Sequence, residues 1–222
     1  HRRWWHATLC REHARSHRVR AAPSRGAGPT PLCTAGQQGH SACLRLLLDA
    51  NADVEGGGPG DSALFQASQE GHHECVEMLI GAGAAVDIAS SDGTSALFMA
   101  CQSGHTRSAE LLLEGGASAS LAGHEDGSTP LHAASEGGHL PCVLLLLAAG
   151  ANPLQPMRGP GRLTPLAFAA RYGHPRCVLA LREAATRAAA AAYMAATNSW
   201  SPKQTLVLVR WCGIGTAQAP CP

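Results

Sequence analysis

Four histidines stand three residues ahead of a cysteine: His40 and Cys43, His72 and Cys75, His139 and Cys142, His174 and Cys177. On a helix, three-residue spacing puts both side chains on one face, as in many zinc sites that take a pair of ligands from one helix. Two such pairs from neighbouring helices would then have to converge on one ion. Packed helices stand about 8–10 Å apart, whereas zinc ligands lie within roughly 2.3 Å of the metal. Pairs on successive helices therefore do not easily complete a tetrahedron. The series is also broken by Ser108, which follows His105 where a cysteine would complete the pattern. The reading is structural histidine and core cysteine, with no metal and no cofactor.

Nucleophilic catalysis needs one unique convergence of nucleophile, base and orienting group. Here His and Cys recur in register with each other, which is what packing produces. The glycine run Gly56-Gly57-Gly58-Pro59-Gly60 lacks the Lys-Ser/Thr of a phosphate-binding loop and reads as a turn. No catalytic residue is assigned, and an enzyme is not expected.

The recurring histidines belong to recurring units. Thr30-Pro31-Leu32 leads to Gly39-His40, Ser62-Ala63-Leu64 to Gly71-His72, and Ser95-Ala96-Leu97 to Gly104-His105. Thr129-Pro130-Leu131 leads to Gly138-His139 and Thr164-Pro165-Leu166 to Gly173-His174. The starts at 30, 62, 95, 129 and 164 give steps of 32, 33, 34 and 35 residues. Thr or Ser accepts a hydrogen bond from a backbone N–H at a helix start, Pro fits the first turn, and Gly takes the left-handed residue that ends the helix. A second helix follows each Gly-His, with one apolar stripe per unit, as in Cys75, Val76, Leu79 and Ile80. After it comes Asn51, Gly83, Gly116 or Gly150, each able to adopt the left-handed conformation.

The connections Asp53 to Asp61, Asp87 to Gly93, Ser120 to Gly127 and Leu154 to Arg162 are rich in Gly, Pro, Asp and Ser and read as hairpin-like loops. One helix pair of this size cannot bury its own stripe, so the units must stack and share an elongated core.

With these motifs the chain resembles the ankyrin repeat family, over roughly residues 28–183. Unit four carries the fullest match, Thr129-Pro130-Leu131-His132, while units two and three place Phe65 and Phe98 where the family has His. The resemblance implies an all-α solenoid of stacked helix-turn-helix units with hairpin-like loops. The repeats are set at about 28–57, 60–89, 93–122, 127–156 and 162–191.

Shifting back one 32-residue step places Glu12, Arg15 and Ser16 where Leu44, Leu47 and Leu48 stand, so a preceding helix would have no stripe to bury. Residues 1–25, with seven arginines against the single acid Glu12, read as a mobile basic arm. With Trp4 and Trp5 this arm has the composition to touch a polyanion, but a solvated tail is the simpler reading. The opening has neither an initiator Met nor a secretory pattern, which suggests a fragment or an atypical transcript.

At the far end, Arg182 occupies the position of Leu48, Ile80, Leu113 and Leu147, as on an outer, solvent-facing cap. Ala185 replaces the capping Gly, and Ala188 to Ala192 favour carrying the helix on toward Ala196, with a stop at Asn198 to Pro202. An Ala-rich helical extension is therefore set at residues 184–198 and a tail at 199–222. The tail contains the strand-like run Thr205 to Trp211, which has no partner strand in the sequence.

The formal net charge of the 222 residues is +1, which gives no global case for nucleic-acid or acidic-membrane binding. No apolar run approaches the roughly 18 residues needed to span a bilayer. Nine cysteines, several of them inside helices, point to reduced thiols and an intracellular setting, cytoplasm or nucleus.

By the resemblance, partner contacts come from loop tips and from the residues just before Gly-His. Here those are Gln37, Gln38, Gln69, Glu70, Gln102, Ser103, Glu136, Arg171 and Tyr172. They vary while the frame repeats, and Arg171 and Tyr172 belong to the residue types that dominate interface energetics. The expected function is a protein-binding scaffold or adaptor, monomeric, with another protein as partner and no nucleic acid. One alternative is the substrate receptor of a ubiquitin ligase, whose SOCS box would have to follow the array. Leu9-Cys10-Arg11 resembles such a box faintly but precedes the array. A second alternative is a truncated splice product without independent function.

Overall fold

The computed structural model describes residues 30–57, 62–90, 92–123, 126–158 and 161–196. The basic arm at 1–25, the tail at 199–222 and the stop at Asn198 to Pro202 lie outside the described residues. The described residues form ten helices in five pairs. These are Pro31–Gln37 (α1) with Ser41–Asp49 (α2), Ala63–Glu70 (α3) with His73–Gly81 (α4), and Ala96–Ser103 (α5) with Thr106–Glu114 (α6). Pro130–Glu136 (α7) with Leu140–Ala148 (α8), and Pro165–Arg171 (α9) with Pro175–Ala196 (α10), complete the series. Each helix packs on its own partner and on its equivalent in the next repeat, giving one layer of first helices and one of second helices. The fold is an all-α solenoid. Among the described residues the loops between repeats show the isolated bridges Ala89 to Ser95 and Gly123 to Ser128 and no longer strand.

The helix starts follow from their first residues. Thr30, Ser62, Ser95 and Thr164 each accept, through the side-chain oxygen, the backbone N–H three residues on. Repeat four closes its cap differently. The N–H of Thr129 donates to Nδ1 of His132 at 3.1 Å, and the Thr129 hydroxyl meets the same nitrogen at 2.9 Å. A histidine at the third helical position supplies the reciprocal acceptor of a capping box.

Each Gly-His glycine is left-handed, from Gly39 at φ 67° to Gly71 at φ 79°. In the first four repeats a Cβ on this glycine would overlap the imidazole of the next repeat's Gly-His histidine: His72, His105, His139 and His174 respectively. His72 Nε2 lies 3.1 Å from the Gln37 carbonyl, His139 Nε2 3.1 Å from that of Gln102, and His174 Nε2 2.8 Å from that of Glu136. The carbonyls accept, so these imidazoles carry the proton on Nε2. One motif thus ends its own first helix and ties its repeat to the preceding one.

Leu79, Leu112 and Leu146 are fully buried between the layers, and each contributes about 1.5–3 kcal/mol by leaving water. Second helices end two residues before Asn51, Gly83, Gly116 or Gly150, each of which is left-handed. Repeat five has Ala185 at that place, and α10 runs through it, 22 residues in all from Pro175 to Ala196. Arg182 is exposed.

Candidate functional site

The His and Cys side chains diverge in three of the four pairs. The imidazoles of His72, His139 and His174 turn to a preceding repeat's carbonyl, whereas Cys75, Cys142 and Cys177 are at most 1% exposed in the core. Among the described residues no group of three or more His, Cys, Asp or Glu is placed to hold a metal ion. Cys142 and Cys101 share a thiol hydrogen bond that draws Cys142 down to about 7 and, with burial, pushes Cys101 well up. Both are fully buried, out of reach of a substrate.

A groove of about 410 Å³ lies where the first helices of repeats three, four and five meet the hairpin tips. Its apolar walls are Phe98, Met99, Ala133, Met157 and Phe168. The edge of Phe168 meets His132 at 5.8 Å between ring centroids, and its face stacks on Tyr172 at 6.1 Å. His132 is 1% exposed, and burial lowers its pKa against the smaller opposing effect of its hydrogen bond to the Leu163 carbonyl. It therefore stands neutral in the wall.

Two hairpin tips supply carboxylates. The Ser90 hydroxyl donates to Asp92, and the Thr94 N–H donates to the same oxygen at 3.2 Å. These bonds hold the Asp92 carboxyl down at about 2, with the Ser90 contact the largest cause. One repeat on, the Ser128 N–H donates to Asp126 at 3.0 Å. Glu136 adds a third carboxylate to the lining, and the exposed Tyr172 hydroxyl donates to it, which raises the tyrosine's pKa. Thr94 also lines the groove. It is 3% exposed, and its side chain adds to the hydrogen bonding that holds the Asp92 carboxyl down.

Of the residues singled out in the sequence, Gln102 and Glu136 line this groove, and Tyr172 stands at its rim through Phe168 and Glu136. Arg171 is exposed at the end of α9, and Ser103 at the end of α5. Gln37, Gln38, Gln69 and Glu70 lie on repeats one and two, outside the groove lining. Sequence reasoning did not single out Asp92, Thr94, Asp126, Phe98, Met99, Met157 or Phe168. The available signal was the Asp-Gly pair at two successive loop tips, Asp92-Gly93 and Asp126-Gly127.

Residues 8–90, 64–157 and 122–192 each match the family model for ankyrin repeats. The chain belongs to the ankyrin repeat family. No curated protein matches it in sequence. No helix among the described residues is long and apolar enough to cross a membrane.

Proposed function

We propose that this array is a scaffold or adaptor that holds another protein in the groove of repeats three to five. Ankyrin repeats are protein–protein interaction modules, and the groove joins apolar walls to polar side chains in one concave surface. The observation that carries the reading is variation at matched positions of a constant frame. Met99, Ala133 and Phe168 occupy one position in successive repeats, and Gln102, Glu136 and Arg171 another. Shape and polarity thus change along the groove while the helix geometry does not. Stacked repeats present such extended surfaces without needing a deep pocket.

Affinity capture from cell extract, quantified by mass spectrometry, tests this reading. Wild-type chain should enrich a set of proteins that Phe168→Ala and Tyr172→Ala lose together, while Leu144→Glu on α8, away from the groove, retains it. Equal enrichment by the groove variants, with loss by Leu144→Glu, would place binding elsewhere.

A further inference from the structure

The stack of described repeats leaves an open face on the C-terminal side of repeat five. Gly36, Ser68, Cys101 and Ser135 hold one position on the first helices of repeats one to four, and all are buried. The next repeat covers them, as where a Cβ on Gly36 would meet the Ala63 carbonyl at 2.8 Å. Ala170 holds that position in repeat five and is exposed. The second helices show the same step. Leu44, Val76, Ala109 and Val143 are fully buried, whereas Val178, their counterpart on α10, is only half-buried and the adjacent Leu179 is 51% exposed. Ala170, Val178 and Leu179 line one apolar depression.

A face built like the contact between two repeats presents apolar surface to water unless something caps it. The chain continues past α10 from residue 197 to 222. Eighteen residues of helix separate Val178 from Ala196, about 27 Å. The nine steps of chain from Ala196 to Thr205 span up to about 30 Å when extended, so the run that begins at Thr205 can return to Val178. That run, Leu206-Val207-Leu208-Val209, is apolar throughout and β-branched at alternate positions, as suits an extended segment laid on an apolar face. Its one neighbouring charge before Trp211 is Arg210. A second copy stacked head to tail would instead bring the seven arginines that precede its repeat one against the exposed Arg171, Arg176 and Arg182, a like-charge contact.

We infer that residues 205–211 dock in extended form on the open face of repeat five, where the side chains of Leu206 to Val209 cover Ala170, Val178 and Leu179 and so cap the array. The docking is independent of what the groove of repeats three to five holds. Tethering to α10 keeps the run at a roughly millimolar effective concentration at this face, so a contact of modest affinity is enough to hold it.

Hydrogen-exchange mass spectrometry on the full chain, run at several protein concentrations, tests this. Amides of residues 206–209 should exchange about tenfold or more slowly than in a free peptide of residues 199–222, at every concentration. The double variant Val207→Asp, Val209→Asp should bring them to the rates of the free peptide. Ala170→Glu changes the face at an exposed position and should do the same, and Leu179→Asp repeats the test from α10. Circular dichroism checks that each variant keeps its helices. Free-peptide rates in the wild type would overturn the inference, as would slow rates that survive both Ala170→Glu and Leu179→Asp. Slow exchange that appears only as concentration rises, together with a dimer in sedimentation velocity, would assign the face to a second copy and overturn it too.

Discussion

His174 Nε2 lies 2.8 Å from the carbonyl oxygen of Glu136, across the boundary between repeats four and five. Gly138, two residues on from Glu136, leaves the space in which the imidazole sits, because a Cβ there would overlap the ring. The same glycine has φ 70°, so conformation and space make one demand together. Gly173 separates the two, since it has φ 77° but nothing within 4 Å of a Cβ built on it. Gly173→Ala should therefore cost only the left-handed strain, about 1–2 kcal/mol. Gly138→Ala must also displace His174, adding about 1–3 kcal/mol of overpacking. Urea denaturation of the two variants measures the gap, and equal midpoints would show that the imidazole does not tie the repeats.

The cap of repeat four should respond to pH. Nδ1 of His132 accepts from the Thr129 N–H, so a proton on Nδ1 would set donor against donor. Burial holds the folded pKa of His132 below its ordinary value. The unfolded chain therefore takes up this proton more readily, and stability falls as pH drops below about 6.5 toward the folded pKa. His132→Gln keeps an acceptor for the cap and removes the titration. Between about pH 7.5 and 5.5 the wild type should lose more melting temperature than this variant. Asp92, held at about 2, keeps its charge throughout that window. Parallel melting curves for the two proteins would contradict the assignment.

Repeat three carries an avoidable defect. Ser108 is 1% exposed with a hydroxyl that has no partner, at the position filled by Cys43, Cys75, Cys142 and Cys177 in the other repeats. Ser108→Cys, which restores the repeat's own residue, and Ser108→Ala should each raise stability by about 1 kcal/mol. The urea midpoint reads the change, and a lower midpoint for both would show that the hydroxyl has a partner in solution.

The frame was legible in the sequence because local backbone chemistry sets it. Ser62 caps α3, and Gly71 ends it at φ 79°, through interactions within a few residues of each other. The role of the Gly-His histidine was only half legible. That His72 is structural follows from its periodicity, but its carbonyl acceptor on Gln37 is 35 residues away. The groove was harder still. Asp92, Asp126 and Glu136 come together through the stacking of repeats three and four, and the Glu136 to Tyr172 bond crosses into repeat five. Reading positions by their distance from Gly-His found Gln102 and Glu136. It passed over the hairpin tips and the Met99 and Phe168 column, whose apolar residues resemble core until the helix face is known.

The most direct measurement on the groove is site-specific photocrosslinking in cells, with p-benzoylphenylalanine at Met99 in one chain and at Leu144 in another. Met99 lines the groove, and Leu144 is 51% exposed on α8. The account predicts a discrete crosslinked protein from position 99 that is absent from position 144. A discrete partner at 144 with none at 99 would contradict it.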